Sequence, residues 1–410
     1  MANFENVMDR ALEGVKIANF THAMAGAFSA FFLASFGATV IKIESRTLLD
    51  WVRQSAPFID NIQTPDRAVH YLSSNGGGQY GITLNFKSLR GKEIAKKIIQ
   101  WSDVVMENFK GGTMAKAGLG YEDLKKIKPD IIMLSGSIYG ETGPFSSLRG
   151  YGTTLTALTG FPHLTGFPDE PPQFPTQAFT DFISPRIMVL AIVAALEYRR
   201  ATGKGQYIDA AQMEAAIPLL TPILLEYEVN GNEVERTGNR SAYMAPHGVY
   251  PCKGEDRWCT ITVSGDEEWQ RFCKVIGNLA WTSDPKFLTV LSRIKNVDEL
   301  DTFVAEWTIK HTPEEVMRLM QDAGVAAGVV QTGRELATDP QLSSRHFFWE
   351  VDLPEVGNFP YNGLPATLSK TPYEIKRAPM LGEHNEYVYT QLLGISDEEF
   401  VQLDAEGVFE

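Results

Sequence analysis

Hydrophobic residues follow two different spacings along the first half of the chain. Short apolar runs, typical of buried strands, alternate with longer stretches in which apolar residues recur every three or four positions, as in an amphipathic helix. The predicted strands cover residues 15–20, 39–44, 81–85, 103–107, 131–135 and 206–209. The predicted helices cover residues 24–36, 89–101, 121–127, 184–202 and 212–230. This alternation predicts an α/β fold in which helices cover both faces of a parallel sheet.

The second half of the chain has a different pattern. Residues 249–263 are β-rich, and predicted helices follow at residues 267–276, 297–310 and 313–323. This mixture predicts a smaller α+β domain over residues 225–330, after the first part of a large domain over residues 1–224. The tail, residues 331–410, has short strands and a predicted helix start near Glu383. We expect the tail to return to the large domain.

The charge balance limits the partners of the protein. Its 410 residues are 44% hydrophobic and 21% charged, which is ordinary for a globular protein, and the net charge is −14. An acidic surface repels phosphate backbones, so we expect no nucleic-acid partner. Any anionic ligand would need local lysines, arginines or backbone N–H groups at its site.

Metal, disulfide and membrane signatures are missing from the sequence. The cysteines, Cys252, Cys259 and Cys273, fit no zinc spacing and are interpreted as buried small hydrophobic residues, and no two histidines form a ligand pair. The N-terminus lacks the pattern of a signal peptide, and the longest apolar run, residues 187–196, is far shorter than the roughly 20 residues of a membrane span. We therefore expect a soluble cytoplasmic protein with no metal site and no membrane partner.

The opening strand–helix–strand unit raises the alternative of a dinucleotide cofactor. The turn after its first strand, residues 21–27, reads THAMAGA rather than G-x-G-x-x-G. Without those glycines the backbone cannot approach a pyrophosphate in the usual way, which argues against a nicotinamide or flavin enzyme. The small residues leave open the close approach of another ligand, or simply tight packing of the helix on the sheet.

Polar and glycine-rich residues follow two of the predicted strands. Residues 107–112 read ENFKGG and residues 135–140 read SGSIYG. Ligands of open α/β sheets bind at the carboxyl ends of the strands, where these segments supply amides and hydroxyls. Each segment alone is also compatible with an ordinary turn between a strand and a helix.

Asp181 comes just before the apolar helix predicted at residues 184–202. A carboxylate at this place can cap the helix, because its oxygens accept hydrogen bonds from the first backbone N–H groups. It can also act as a nucleophile that forms a covalent acyl intermediate. Position alone is compatible with both interpretations.

A set of short motifs occurs in one order along nearly the whole chain. The motifs are LEGVKIANFT at residues 12–21, FGATVIKIE at 36–44, ENFKGG at 107–112, GLGYEDL at 118–124, GETGPF at 140–145, TGKGQ at 202–206 and LGEH at 381–384. The ordered set closely resembles the class III CoA-transferases, the family of the formyl-CoA:oxalate, carnitine and benzylsuccinate CoA-transferases. The resemblance implies a Rossmann-like large domain, a small domain and an interlocked dimer, which is either a homodimer or a heteromer with a paralogous subunit.

The resemblance also implies a covalent mechanism on Asp181. In the family a catalytic aspartate precedes the long helix that ends near the TGKG motif, and Asp181 occupies that position. Its carboxylate would attack an acyl-CoA donor such as succinyl-CoA, pass through an aspartyl-CoA thioester, and transfer coenzyme A to a carboxylic acid acceptor. Coenzyme A thioester is then a substrate, and no permanently bound cofactor is implied.

The residues that contact coenzyme A are likewise implied by the resemblance. They are Ala23, Met24, Ala25, Arg46, Leu84, Lys87, Asn108, Phe109, Lys110, Lys116 and Ser137. Lys87 is implied as a phosphate partner, and Lys110 and Lys116 supply the local positive charge that the acidic protein requires. Two features depart from the family: Ser45 stands where some relatives have arginine, and residues 241–247 replace a glycine-rich covering loop.

Two other functions are compatible with the same fold. An α-methylacyl-CoA racemase needs a second acid or base on the opposite face of the α-carbon, which is a histidine in that branch, and Tyr151 stands at that position here. A phenol, with an ordinary pKa of about 10, is a poor substitute. A non-catalytic subunit of a heteromeric CoA-transferase is disfavoured because Asp181 is present.

One aromatic-rich stretch bears on the acceptor acid. Residues 151–175 carry Phe161, His163, Phe167 and Phe174. These side chains are compatible with a pocket for an aromatic or dicarboxylic acid, and equally with residues that only pack a loop.

Overall fold

The computed structural model describes residues 10–176, 178–354 and 356–410. The strands are β1 Lys16–Asn19, β2 Thr39–Glu44, β3 Tyr80–Thr83, β4 Val104–Glu107, β5 Ile132–Ser135, β6 Tyr207–Asp209, β7 His247–Pro251, β8 Trp258–Thr262, β9 Ala326–Val329, β10 Phe348–Leu353 and β11 Gly357–Asn362. The helices are α1 Ala23–Ser35, α2 Val69–Ser74, α3 Leu89–Trp101, α4 Thr113–Lys116, α5 Tyr121–Ile127, α6 Gly152–Leu158, α7 Phe161–Leu164, α8 Phe179–Thr202, α9 Gln212–Ala216, α10 Thr221–Asn230, α11 Asp266–Val275, α12 Val290–Lys295, α13 Val297–Thr308, α14 Pro313–Asp322, α15 Gly333–Ala337, α16 Pro340–Ser344 and α17 Asp397–Ala405. A π-helical turn, Tyr387–Leu392, lies before α17.

One parallel sheet with the strand order β3-β2-β1-β4-β5-β6 forms the centre of the fold. Ile17 of β1 pairs with Val40 of β2 on one side and with Val104 of β4 on the other. The strand order reverses between β1 and β4, and ligands of doubly wound folds bind in the crevice at such a reversal. The predicted α/β fold with a parallel sheet is confirmed.

Side chains of the central strands alternate between two helical layers. Ile17 and Val104 pack in a cluster with α1 and α8, whereas Ala18 and Val105 pack in a cluster with α3 and α5. Successive residues of a strand point to opposite faces, so strands that are covered on both sides are apolar almost throughout. The sequences VVME of β4 and IMLS of β5 are accordingly buried along their length.

Two helices differ from the prediction. α8 begins at Phe179 instead of residue 184, so Pro185 lies inside the helix and not at the favoured first position. The predicted helix over residues 212–230 is interrupted near Pro218, giving α9, a 3₁₀ turn at Ile217–Leu220, and α10. By contrast, α3 and α5 have the predicted bounds.

The chain forms two compact units. The larger contains the residues up to Phe161, Phe174–Asn232 and Ser343–Glu410, and the smaller contains Pro162–Gln173 and Glu233–Leu342. The sequence predicts ranges of 1–224, 225–330 and 331–410. The smaller unit therefore ends later than predicted. It also includes the segment 162–173, and no local pattern in the sequence indicates that this segment belongs to the smaller unit.

The smaller unit has its own sheet and core. β7, β8 and β9 form an antiparallel sheet in that order. Its core contains Trp269 and Phe272, together with the cysteines Cys252, Cys259 and Cys273. These cysteines are free and buried, as the sequence predicts.

The C-terminal segment completes the larger unit at the β3 edge of the sheet. After the β10–β11 hairpin, the backbone N–H of Thr83 donates to Oδ1 of Asn385 at 2.9 Å. The hydroxyl of Tyr389 donates to the Thr83 carbonyl at 2.7 Å. Tyr389 also stacks on Phe409, with 4.3 Å between ring centroids, in the hydrophobic cluster that α3 covers.

α8 is more apolar than the sequence pattern suggests. Among the described residues it is the one helix that is long and apolar enough to cross a membrane by length and composition. The core helix of a soluble protein passes the same test, and Met188, Ile192 and Ala195 of α8 are buried in the cluster with α1. The soluble, cytoplasmic character of the protein stays a prediction.

Candidate active site

Two hydrogen bonds join the exit loops of β1 and β4 at the crevice of the sheet. The side chain of Asn108, just after β4, accepts from the N–H of His22 at 2.7 Å and donates to the His22 carbonyl at 2.6 Å. The backbone beyond β1 has no further strand partner there, and the Asn108 amide satisfies both of its polar groups. The structure thus brings Asn108 together with the turn that carries Ala23 and Met24.

A buried ion pair fixes this turn. Ala23 has φ +56°, in the left-handed region that residues other than glycine rarely adopt. Its N–H donates to Oδ1 of Asp50 at 2.9 Å, and Oδ2 of Asp50 lies 3.3 Å from Nζ of Lys42. Lys42 also donates to the carbonyl of Thr21. The turn is therefore held from both ends by side chains that have no contact with solvent.

The Asp50 carboxylate stays ionised in this buried place. Burial alone would raise its pKa, but the charge of Lys42 and the backbone N–H groups that it accepts hold the pKa of Asp50 below its ordinary value. His22, on the same turn, has a lowered pKa because of burial and the nearby Lys42 charge, so its ring is neutral at physiological pH.

A row of rings follows the carboxyl ends of β1, β3 and β4. Phe20 contacts Phe86 edge to face at 5.7 Å between centroids, Phe86 lies 6.3 Å from Phe109, and Phe109 contacts the His22 ring at 5.3 Å. The ring contacts connect the segments after the three strands, so the predicted site residue Phe109 lies beside the turn at Ala23.

Asp181 lies in the first turn of α8 and does not cap the helix. Ala178 holds the N-cap position, so the capping interpretation of Asp181 is wrong. The Asp181 carboxylate points at the start of α6, where a Cβ on Gly152 would lie only 2.4 Å from Oδ2. The lack of a side chain at Gly152 therefore makes room for the carboxylate.

A cavity of about 450 Å³ opens beside Asp181. Its walls are mostly small and aromatic residues: Ala23, Met24, Trp51, His70, Tyr151, Gly152, Thr153, Thr154, Thr176, Ala178, Asp181 and Phe182. Burial raises the pKa of Asp181 to about 6 and lowers the pKa of His70. Among these wall residues, Asp181 alone carries a charge at neutral pH.

This environment suits a nucleophilic carboxylate. At neutral pH the Asp181 side chain is mostly ionised, yet no described residue donates a hydrogen bond to it or forms an ion pair with it. A poorly solvated carboxylate is more reactive toward an acyl carbon than one in bulk water. The cavity thus offers a nucleophile, an apolar surface and space for a small acyl group.

Comparison with known proteins identifies the family. The family described as CoA-transferase family III matches residues 12–385 of the chain. The chain belongs to this family. The predicted resemblance and the predicted class of enzyme, a class III CoA-transferase, are confirmed.

Individual relatives of this CoA-transferase align over almost their full length. The succinyl-CoA–D-citramalate CoA-transferase of Chloroflexus aurantiacus is 31% identical over 97% of this chain and 98% of its own length. A formyl-CoA:oxalate CoA-transferase of Rhodopseudomonas palustris is 29% identical over 98% of both chains. Among solved structures, a CAIB/BAIF family protein from Brucella suis is 29% identical and superimposes with a TM-score of 0.85, covering 94% of this chain and all of that one.

The coenzyme residues implied for the CoA-transferase fall into three groups. Ala23 and Met24 line the Asp181 cavity, and Asn108 and Phe109 lie beside them. Exposed side chains that carry positive charge at the carboxyl edge of the sheet or just beyond it form the second group: Arg46, Lys87, Lys110 and Lys116. The third group is buried: Ala25, Leu84 and Ser137.

The buried group offers little to a ligand through its side chains. Leu84 belongs to the hydrophobic cluster with α3, and Ala25 is enclosed in α1. Ser137 is buried, and its hydroxyl finds no hydrogen-bond partner among the described residues. Arg46 packs against Gly382 of the LGEH motif, where an added Cβ would lie 3.1 Å from the Arg46 guanidinium.

Several cavity residues have no signal in the sequence. Trp51 lies in a 3₁₀ turn after Asp50, and its ring is 6.4 Å from both Tyr151 and His70. An exposed aromatic residue in an irregular segment has no periodicity that could reveal it. Of the aromatic stretch 151–175, Tyr151 reaches the Asp181 cavity, whereas Phe161 packs edge to face on Phe179 at 4.7 Å.

A second buried acid lies at the edge of the crevice, at the end of β4. Glu107, the last residue of β4, accepts the N–H of Phe109 at 2.8 Å, and burial raises its pKa to about 7. Glu141 and Asp209 add to this shift, although the hydrogen bonds from Ser135 and Phe109 oppose it. In the described ranges no group of three or more His, Cys, Asp and Glu side chains is arranged to hold a metal ion.

Proposed function

We propose that the protein transfers coenzyme A from an acyl-CoA donor to a carboxylic acid acceptor through an aspartyl-CoA thioester on Asp181. The observation that carries the proposal is the Asp181 carboxylate itself, which is partly buried, has no partner among the described residues and faces a cavity with largely apolar walls. Its raised pKa of about 6 leaves it ionised at neutral pH. Family membership supports the same chemistry.

Each step of the proposed mechanism exchanges one acyl bond for another. A carboxylate oxygen of Asp181 attacks the thioester carbon of the donor, the C–S bond breaks, and a mixed anhydride and the CoA thiolate form. The thiolate then attacks the aspartyl carbonyl carbon and releases the donor acid, which leaves an aspartyl-CoA thioester. The acceptor carboxylate attacks this thioester, and the thiolate returns to the new acyl carbon. Asp181 is regenerated, and no water is consumed.

We propose that coenzyme A lies along the carboxyl edge of the sheet, with its thiol end at Ala23 and Met24. Asn108 and Phe109 would contact its chain, because they adjoin this turn. The exposed cations Lys87, Lys110 and Lys116 would balance its phosphates against the net charge of −14. Leu84, Ala25 and Ser137 would contribute through their backbone.

The experiment is mass spectrometry of the intact protein after incubation with a panel of acyl-CoA donors, with and without hydroxylamine. We expect a donor-dependent adduct on Asp181 that hydroxylamine removes, and no adduct in Asp181→Ala. Asp123→Ala, which changes an aspartate on α5 whose side chain is 40% exposed, is the control and keeps the adduct.

Two other results would contradict this proposal. If no donor gave an adduct while an α-methylacyl-CoA exchanged its α-proton with deuterium from solvent, the racemase alternative would be the function. If neither reaction occurred, the non-catalytic alternative would be favoured.

We further propose that the protein is a dimer, as the resemblance implies. Large apolar side chains are exposed on two helices of the larger unit: Ile187, Leu190 and Val193 on α8, and Leu224, Leu225, Tyr227 and Val229 on α10. Exposed apolar residues in such numbers are typical of protein–protein interfaces. A partner surface would remove them from water.

A further inference from the structure

We propose that a second cavity next to Asp181 selects acids with a distal carboxylate, which Arg186 binds. This inference rests on the proposed function, because it assumes that the acyl group becomes attached to Asp181. It assigns to the enzyme a class of substrate, the longer dicarboxylic acids, and to Arg186 a role in specificity.

The second cavity adjoins the first. It has a volume of about 470 Å³ and shares Met24, His70 and Phe182 with the Asp181 cavity. Phe182 follows Asp181 directly, so its ring separates the two spaces. A chain that starts at the Asp181 carboxylate can therefore continue past Phe182 into the second cavity.

The walls of the second cavity are apolar and aromatic. Phe28, Phe31 and Phe32 come from α1, and Phe347 comes from the segment before β10. Such walls favour the methylene or aryl body of an acid, because burial of its apolar surface is favourable. The polar wall residues other than Arg186 are His70, Ser73 and Asn362, and they offer no positive charge to pair with a second carboxylate at neutral pH.

Arg186 is the exception on these walls. No carboxylate lines the second cavity, and among the described residues Arg186 forms no ion pair. It lies one turn after Phe182 on the same face of α8, donates to the Phe182 carbonyl, and extends over the ring of Phe32 at 5.8 Å. A guanidinium has five N–H donors, so it retains donors for a bidentate contact with a carboxylate.

The position of Arg186 sets a minimum length for the acid. Asp181 and Arg186 are five residues apart on one helix, which corresponds to about 7.5 Å along its axis. Oxalate, whose two carboxyl groups are bonded directly to each other, is too short to reach both residues. Acids with several carbons between the carboxyl groups can do so.

The same cavity would hold donor and acceptor in turn. Both mixed anhydrides form on the Asp181 carboxylate, so the two acyl groups occupy the same space at different steps. Because Arg186 is the cationic residue on this wall, the enzyme should favour dicarboxylic acids both as the acyl group of the donor and as the acceptor. The name of the Chloroflexus relative contains two such acids, succinate and citramalate.

The test compares acids of equal length with one or two carboxyl groups. Glutarate and pentanoate, and likewise adipate and hexanoate, serve as acceptors for the wild type, Arg186→Gln and Arg200→Gln. Arg200 is the control, since it is an exposed arginine near the end of the same helix that pairs with Glu197. We expect the KM of Arg186→Gln for glutarate and adipate to rise roughly tenfold to a hundredfold, the size of a lost charge-assisted contact.

Pentanoate, hexanoate and all reactions of Arg200→Gln should stay within about twofold of the wild type. Arg186→Lys, which retains the charge but loses the bidentate geometry, should fall between wild type and Arg186→Gln. The inference is overturned if the wild type does not prefer dicarboxylates, or if Arg186→Gln affects acids with one and two carboxyl groups equally.

A second variant tests the space instead of the charge. Ser73→Phe, at the end of α2, would fill the second cavity without touching the Asp181 cavity. Adipate should lose more activity than glutarate in this variant. Equal losses would contradict the inference.

The adduct assay separates this inference from the proposed function. If wild-type protein forms the Asp181 adduct but shows no preference for dicarboxylates, only the inference fails. If no adduct forms on Asp181 with any donor, the proposed function fails and the inference with it.

Discussion

The Asp181 side chain connects burial to reactivity. Burial raises its pKa to about 6, and the proposed nucleophile must be ionised. We therefore expect kcat/KM for the acyl-CoA donor to rise about tenfold per pH unit below pH 6 and to level off above it. The measurement is a rate profile between pH 4.5 and about 8.5 with an acceptor that is ionised throughout. A flat profile across pH 5–7 would argue that another group limits the reaction.

Gly152 controls the space around the same carboxylate. A Cβ at this position would lie 2.4 Å from Oδ2 of Asp181, so Gly152→Ala must displace the nucleophile. We expect kcat/KM to fall roughly a hundredfold, the cost of a misplacement of about 1 Å, with little change in the melting temperature. Gly150→Ala is the matched control, because its Cβ would meet its nearest neighbour at an ordinary 3.6 Å. Equal effects of the two variants would disprove the steric argument.

The β1–α1 turn depends on elements on both sides of it. Asp50 comes from the segment after β2 and holds the N–H of Ala23, and Lys42 of β2 neutralises Asp50. We expect Asp50→Asn to lower the free energy of unfolding by about 3–5 kcal/mol, because it leaves the buried Lys42 charge without its partner. Urea unfolding measures this loss.

The double variant Lys42→Met/Asp50→Leu separates stability from positioning. It removes both buried charges and should recover much of the stability. The adduct on Asp181 should still form slowly, because Ala23 has lost the acceptor that holds its left-handed conformation. Full recovery of the adduct rate would mean that the turn needs no such support.

Regular elements could be predicted well from the sequence, and irregular ones could not. The apolar runs of the central strands and the amphipathic α3 are local signals, so their bounds agree with the structure to within about two residues. α8 begins five residues earlier than predicted, at Phe179, because proline at residue 185 resembles a first helical residue. At Pro218 the apolar pattern of a helix continues through the proline. It therefore predicts one helix over residues 212–230 where the structure has α9 and α10.

The candidate site was only partly accessible to sequence reasoning. Asn108 stands in the ENFKGG motif and Asp181 comes before the apolar helix that ends at the TGKGQ motif, whereas Trp51 and His70 lie in segments with no pattern. Their presence at the cavity depends on contacts between residues far apart in the chain. The burial of a predicted site residue was equally hidden from the sequence, because nothing local indicates that the side chain of Ser137 is enclosed.

The apolar surface of α8 and α10 is a property of the whole molecule. Leu190 is 65% exposed in the single chain, and we expect a partner to cover it. Leu190→Glu should therefore weaken the dimer by about a hundredfold or more, because a charge in an apolar interface is costly. Light scattering after size-exclusion chromatography gives the mass of each species.

Val401→Glu is the control for this substitution. Val401 is 66% exposed on α17, outside the proposed interface, and the variant should keep the mass of the wild type. A wild-type protein that is monomeric at micromolar concentration would contradict the proposed dimer.

The return of the C-terminal segment to β3 affects how the protein is made. Thr83 finds its partner Asn385 about 300 positions later in the chain, and Phe409 fills the core below it. A growing chain on the ribosome therefore exposes the β3 edge and the apolar surface under it until the residues from Asn385 to Phe409 have been synthesised. During that time we expect chaperones to bind the exposed apolar surface of the nascent chain. A ribosome that stalls before Asn385 would leave a product in which the β3 edge is uncovered.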